Sequence, residues 1–298
     1  MNPQNPFAGT HLDRRAEARL RDDWLEEALA DPGTRFLAMR QGAALVRPAT
    51  EGQLTRAVFL ANNDPRVATH LVPERLVLLG WFTGQRTLLV DLDPDNASTE
   101  EGEAFSELRP LASELSAPEA ALLAYARALH IWRANHRHCG RCGAPTTAVR
   151  AGHALVCTNC DFESFPRIDP AIIVLVHDGE RALLGRQSTW PPNRYSTIAG
   201  FVEPGEALED AVRREVDEET GIHVTSIDYH SSQPWPFPSS LMLGFQAHGD
   251  YAEPTLHDGE LEDARWFTRD QLRDGSVLLP PAEAISRRLI DSWLGAVA

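Results

Sequence analysis

The sequence predicts an α+β protein of at least two domains, and three observations carry that prediction. Short apolar runs of strand length recur between turn residues in both halves of the chain, and each half also holds helical patterns. All four cysteines fall between residues 139 and 160 as two C-x-x-C pairs. The length, 298 residues, exceeds that of one ordinary compact domain.

The elements follow in order. Residues 13–30 read as one helix, with Leu20, Trp24 and Leu25 at helical spacing. Between about 35 and 93 the runs FLAM, ALVR, VLLGWF and TLLVDL, separated by Gly, Pro and Asn, read as strands. The segment DPDNASTEEGEAF reads as a polar loop, and Ser116 with Glu119 as a capping box opening a long helix that ends near the first cysteine. Beyond the cysteines, AIIVLV (171–176) and RALLGR (181–186) read as hairpin strands around the HDGE turn. In ALEDAVRREVDEET, Leu208, Val212 and Val216 lie on one helical face, and Gly221 is a C-cap. LMLGFQA and ARWF read as strands, and AEAISRRLIDSWLGAV as a last helix.

Charge narrows the chemistry. The formal net charge is −15, a repulsive field for nucleic acid and anionic membranes, so passive nucleic-acid binding is disfavoured. The 28 Lys+Arg side chains are all arginine, which excludes a lysine Schiff base or a P-loop lysine and leaves phosphate to Arg, backbone N–H groups or metal. No secretory-type apolar stretch opens the sequence and no run is long enough to span a bilayer, so a soluble, cytoplasmic protein is expected.

The richest segment runs from Gly200 through Glu206 to Arg214-Glu215-Val216-Asp217-Glu218-Glu219-Thr220-Gly221-Ile222. On a helix Glu215 meets Glu218 and Glu219 at i+3 and i+4, so three carboxylates converge while the valines face inward. Their mutual repulsion, a few tenths of a kcal/mol per exposed pair, is relieved by a cation. Hard oxygen donors suit Mg²⁺ or Mn²⁺, which would neutralise a diphosphate and activate water. A solvated acidic helix face is the bland alternative. The segment resembles the Nudix box, G-x5-E-x7-R-E-U-x-E-E-x-G-U with U aliphatic, at every specified position. That resemblance implies that Glu215 and Glu219 ligate metal, that Glu218 ligates or activates water, and that the Ala199 carbonyl adds an oxygen. Arg214 would orient a carboxylate and Glu206 would organise the loop-helix corner. Glu260 matches a further acidic position of the family, with Glu262 and Asp263 as surface alternatives.

Cys139-x2-Cys142 and, fourteen residues on, Cys157-x2-Cys160 have zinc-ribbon spacing. Four thiolates would fill a tetrahedron, so this zinc is expected to be structural. The competing readings are disulfides, or His138 or His153 in place of one cysteine.

Shortly after the glutamates come Ser232, Gln233, Pro234, Trp235, Pro236, Phe237, Pro238, Ser239 and Ser240. Closely spaced prolines would stiffen a loop that presents Trp235 and Phe237, with Gln233 and the serines offering hydrogen bonds to a nucleotide. Simple packing of the loop on the sheet is the alternative. The segment resembles the SQPWPFPxS motif of the NADH pyrophosphatase (NAD-capped RNA hydrolase) subfamily of Nudix hydrolases, which also carries a four-cysteine ribbon. The likeness covers about residues 136–290, with ribbon, box and motif in the expected order. It implies a Nudix α/β/α sandwich with a mixed sheet over 169–298. A zinc ribbon over 135–168 and a smaller N-terminal α+β domain over 1–134 would precede it.

By the same resemblance, Phe201 stacks on nicotinamide, Ser286 lies near substrate, and Arg109 matches an upstream substrate-contacting arginine or makes a surface salt bridge. Phe165 stands where relatives have Tyr, keeping the ring without the phenolic hydroxyl. The implied reaction is hydrolysis of the NADH or NAD⁺ diphosphate to nicotinamide mononucleotide and AMP by a homodimer, with removal of NAD caps from RNA 5′ ends as a further activity. The rivals are another Nudix substrate, such as ADP-ribose or a dinucleoside polyphosphate, and a non-catalytic sensor of NAD metabolites.

Overall fold

The computed structural model describes residues 5–93, 98–257 and 259–295. It divides into two compact units: Phe7–Arg167 with Trp235–Ser239, and Ile168–Pro234 with Asn5, Pro6 and the chain from Ser240 onward.

In the first unit the strands are β1 (Leu12–Asp13), β2 (Arg35–Arg40), β3 (Ala43–Arg47), β4 (Arg56–Ala57), β5 (Phe59–Ala61), β6 (Leu76–Phe82), β7 (Gln85–Asp91) and β8 (Ala104–Ser106). They form one sheet in the order β1-β6-β7-β2-β3-β4, with β5 on β2 and β8 on β3. Helices α1 (Trp24–Ala30), α2 (Pro65–Ala68) and α3 (Ala117–Asn135) complete this part. β2 is apolar on both sides because both are covered. Leu37 and Met39 join a core with Leu122, Leu123, Leu129 and Trp132 of α3, whereas Phe36 and Ala38 join one with Leu25 and Ala28 of α1.

Three local expectations change. The helix expected over 13–30 is broken: a 3₁₀ turn (Ala16–Leu20) precedes α1, Arg21 between them is extended, and Leu20 is exposed. Part of the expected 93–105 loop lies outside the described residues, and its end is strand β8, paired to β3. Ser116 caps α3 by accepting from the Glu119 N–H (3.4 Å), but the Glu119 carboxylate accepts from Ser116 Oγ and from the Ala57 N–H, so the reciprocal half of the box is missing. A complete capping box occurs instead at Thr268 and Gln271.

The cysteine segment forms a small antiparallel sheet of β9 (Thr146–Val149), β10 (Ala154–Cys157) and β11 (Glu163–Ser164). His153 Nε2 bonds the Leu78 carbonyl at 2.8 Å, with the Tyr125 ring stacked nearby. Burial pushes its pKa down to about 4. An unfolded histidine takes its proton near pH 6.5, so stability is lost as pH falls from about 6.5 to 4, by at most about 3 kcal/mol. The expected result is that the thermal midpoint drops less between pH 7 and 5 in His153→Gln than in the parent, measured by circular dichroism.

The second unit contains β12 (Asp169–His177), β13 (Arg181–Arg186), β14 (Ile198–Phe201), α4 (Leu208–Thr220), β15 (Val224–Trp235), β16 (Ser240–Gly249), β17 (Asp263–Thr268), α5 (Arg269–Arg273) and α6 (Ile285–Trp293). The sheet runs β15-β16-β12-β13-β17 with β14 on β12, and β12 and β16 are parallel. Every residue from Ala171 to Val176 is buried. Ile172, Val174 and Val176 pack with Ala211, Val212 and Val216 of α4, while Ile173 and Leu175 pack with Leu289, Ile290 and Trp293 of α6. The sheet is therefore sandwiched between helices, and full burial of Val212 or Val216 contributes roughly 1.5–3 kcal/mol. The mixed-sheet α/β/α architecture expected for this region is present. No described helix is long and apolar enough to cross a membrane.

Candidate active site and zinc site

The corner between β14 and α4 gathers the acidic residues. Gly200 pairs with Ile172 across the sheet, and a Cβ there would stand 1.9 Å from the Glu215 carboxyl carbon. Only a residue without a side chain lets α4 press that carboxylate against the strand. At the other end of α4, Gly221 adopts φ 66° and its N–H bonds the Asp217 carbonyl at 2.7 Å, closing the helix in the left-handed conformation glycine favours.

Arg214 ties the corner together. Its Nε and Nη2 donate to the two Glu206 oxygens at 2.6 and 2.9 Å, Nη2 also donates to the Phe201 carbonyl at 2.9 Å, and Nη1 reaches Glu215 at 2.8 Å and Glu218 at 3.0 Å. The Glu203 N–H donates to Glu206 as well. Arg214 and that amide hold Glu206 down to a pKa of about 2, so it remains a carboxylate. Burial pushes Glu215 up, Arg214 pulls it down, and the charges of Glu218 and Glu260 push it up again. Glu219, on the same helix, is buried.

Glu215, Glu218 and Glu260 line a groove of about 800 Å³ with Ala199, Gly200 and Phe201. Its other wall is built by the β12–β16 pairing, which sets Asp169 opposite Ser240 and Ala171 opposite Met242. Phe201 presents an exposed ring. Glu262 is ion-paired to Arg186, and Asp263 accepts from Tyr195 and pairs with Arg265, so these two alternatives to Glu260 are engaged elsewhere. Glu203 and His257 also line the groove. Neither belongs to a recognisable pattern in the sequence; His257 arrives there through a loop whose Thr255 N–H bonds the Thr220 carbonyl. One guanidinium faces several carboxylates, and the cradle left at Gly200 places hard oxygen donors where a divalent cation offsets their repulsion.

The remaining candidates separate. Gln233 is fully buried: its amide donates to the carbonyls of Pro6 and Glu283 and accepts from the Ile285 N–H. Its hydrogen-bonding capacity thus organises the chain around Pro234 and α6. Ser286 is buried in the first turn of α6. In the first unit Trp235 and Phe237 pack edge-to-face at 5.1 Å and both meet Phe7. The Arg109 guanidinium lies 5.4 and 5.8 Å from their ring centroids, and Arg127 donates to the Pro236 carbonyl. The motif is therefore not a free loop: β15 continues through Trp235, and the aromatic pair joins the α3-side core. Pro238 is exposed, Ser239 is half-buried, and Phe165 is exposed with Arg150 over its ring.

The four cysteine sulfurs lie within 4.8 Å of one another, with Cys139–Cys160 at 3.8 Å and Cys142–Cys157 at 3.4 Å. A zinc ion with bonds of about 2.3 Å would hold tetrahedral sulfurs about 3.8 Å apart, so the set fits. Backbone N–H groups of Arg141 and Asn159 donate to Cys139 and Cys157. An amide at Ala144 helps hold Cys142 down to about 6. The Phe162 amide also favours the Cys160 thiolate, but desolvation and the neighbouring sulfurs push it up to about 12. Four thiolates cannot share this space without a cation. His153 is spent on Leu78 and takes no part in the cluster. Cys157→Ser is expected to lose zinc and to lower the thermal midpoint by many degrees, read by elemental analysis and calorimetry.

A family model described as the NUDIX domain matches residues 167–293, placing the second unit in the class of Nudix hydrolases. Models for the NADH pyrophosphatase zinc ribbon domain and the NADH pyrophosphatase-like rudimentary NUDIX domain match 134–165 and 33–132. The NAD-capped RNA hydrolase NudC of Mycobacterium bovis is 39% identical over 296 residues, covering 92% of this chain and 90% of its own. NUDT12 of Macaca fascicularis, also an NAD-capped RNA hydrolase, is 33% identical over 341 residues, covering 98% and 73%. A solved Nudix hydrolase from Nitrosomonas europaea is 18% identical with a TM-score of 0.41, covering 47% of this chain and 82% of its own. The chain belongs to the zinc-ribbon family of Nudix hydrolases that comprises the NADH pyrophosphatases and NAD-capped RNA hydrolases. The ribbon match and the sulfur geometry together support a structural zinc.

Proposed function

We propose that this chain hydrolyses the diphosphate of NADH or NAD⁺ to nicotinamide mononucleotide and AMP, and cleaves the same bond in NAD-capped RNA 5′ ends. The observation that carries the proposal is the intact carboxylate corner, with Glu215 seated on Gly200 and tied by Arg214, in a chain whose relatives are named for NAD-capped RNA. Glu215, Glu218, Glu219, Glu260 and the Ala199 carbonyl would hold Mg²⁺ or Mn²⁺, which supplies charge neutralisation of the diphosphate and activation of water.

The chain's own contributions are positional. Arg214 holds Glu215 and Glu218 at the groove while Glu206 braces Arg214 from behind. A groove-facing carboxylate accepts a proton from the attacking water, whose oxygen bonds to phosphorus as the bridging oxygen leaves with the other mononucleotide. The exposed Phe201 ring offers a face for nicotinamide. Trp235 and Phe237, braced by Phe7, Arg109 and Arg127, form the substrate-selecting segment that the family motif implies. Residues 1–134, 135–168 and 169–298 serve as the N-terminal, ribbon and catalytic domains of a cytoplasmic homodimer.

A side-by-side determination of kcat/KM tests this with NADH, NAD⁺, NAD-capped RNA, ADP-ribose and a dinucleoside polyphosphate, each with Mg²⁺ and with Mn²⁺. A nicotinamide substrate should lead by about tenfold or more. A lead by ADP-ribose or the dinucleoside polyphosphate would overturn the substrate assignment, and no turnover of any would favour a sensor.

A further inference from the structure

The first unit holds a pocket of about 530 Å³ that the proposed reaction does not use. Arg35, Arg47 and Arg56 line it, beside Phe59, Thr83 and the Ser116 start of α3. Arg47 and Arg56 are directly opposed across the β3–β4 pair, an arrangement that destabilises a sheet unless something offsets the repulsion. Little within the protein does. Arg56 has no ion pair among the described residues, and the carboxylate nearest Arg47, Glu103 at 3.6 Å, is already bound by Arg66 at 2.6 Å. Arg35 is fixed in advance: its guanidinium lies 4.0 Å from the Phe59 ring centroid and donates to the Phe82 carbonyl and the hydroxyls of Thr83 and Thr87. The lining acid, Glu119, is occupied by the Ala57 N–H and the Ser116 hydroxyl. The positive end of the nineteen-residue α3 adds to the field. Three guanidinium groups against two carboxylates, Glu119 and Glu103, both already committed elsewhere, are a local reversal of sign in a chain of net charge −15.

We propose that this pocket is a phosphate-binding site, filled by the phosphate of a free nucleotide or by one in the backbone of an oligonucleotide. Guanidinium forks match phosphate oxygens, and a phosphate between Arg47 and Arg56 removes the cross-strand repulsion. The test is fluorescence anisotropy of the full, zinc-loaded chain without added Mg²⁺ or Mn²⁺, so that the carboxylate groove is not charged with its catalytic metal while the ribbon zinc stays in place. The probe is a short labelled oligoribonucleotide with a 5′-hydroxyl, and AMP and inorganic phosphate are the competitors. Arg47→Glu with Arg56→Glu is expected to weaken probe binding at least about tenfold and to flatten the dependence of log K on log salt by about 1.4, two phosphate contacts' worth. Turnover of NADH should stay within about twofold, which separates this site from the reaction; binding is read without turnover, so failure of the NADH assignment leaves the test intact.

Displacement of the probe by AMP or phosphate would identify a free nucleotide phosphate as sufficient, and displacement only by oligonucleotide would identify the backbone. Should the double variant lose its thermal transition, Arg56→Gln, at an exposed side chain, must weaken binding about threefold with an unchanged midpoint. Equal affinity of variant and parent, or no binding by the parent at low salt, overturns the proposal.

Discussion

Glu215→Gln is expected to lower kcat for NADH by about 10²–10³, a loss of about 3–4 kcal/mol of transition-state stabilisation, without lowering the thermal midpoint. The shape of the side chain is kept, and Arg214 retains Glu206 and Glu218. What disappears is a charge that burial disfavours. Because the folded pKa of Glu215 lies above its unfolded value, the fold without added Mg²⁺ or Mn²⁺ loses stability as pH rises through the folded pKa, and the glutamine variant lacks that slope. Steady-state kinetics with Mg²⁺, and calorimetry of the zinc-loaded protein without added Mg²⁺ or Mn²⁺ at pH 5 and 8, read both effects. Activity within threefold of the parent would remove Glu215 from the catalytic set.

Gly200→Ala is expected to act nearly as strongly through geometry alone. The new methyl would stand 1.9 Å from the Glu215 carboxyl carbon and 2.1 Å from both oxygens, so strand or helix must shift. A displacement on the order of 1 Å at the reacting centre costs about 10² in rate. Overpacking of this kind costs about 1–3 kcal/mol of stability. A parallel fall in kcat and in affinity for Mn²⁺, measured by electron paramagnetic resonance, distinguishes a displaced ligand from general unfolding.

The corner at Gly200 was legible because its chemistry is local: one helix sets the glutamate spacing, and a strand and turn supply the glycine. The ribbon was legible for the same reason. The four sulfurs come from two short knuckles, and the spacing alone implies their convergence. Gln233 was not. Its place in a motif suggested a hydrogen bond to a ligand, yet its amide is consumed by Pro6, Glu283 and Ile285, far away in sequence. Tertiary partners of that kind leave no mark in spacing. His257 was missed because a loop brings it to the groove, and the 13–30 helix broke because Arg21 is extended between a 3₁₀ turn and α1. In the N-terminal sheet the strands were readable from apolar runs. The β3–β4 register that opposes Arg47 and Arg56 required the fold.

The most direct measurement is phosphorus NMR of NAD⁺ incubated with the purified chain and Mg²⁺, beside a matched Glu219→Gln sample. With the parent, the diphosphate resonances should disappear as two phosphomonoester resonances, those of AMP and nicotinamide mononucleotide, grow in equal amounts, while the variant leaves the diphosphate intact. A diphosphate that persists with the parent, free nicotinamide released with the diphosphate whole, or equal cleavage by the variant would contradict hydrolysis of the dinucleotide at the glutamate helix.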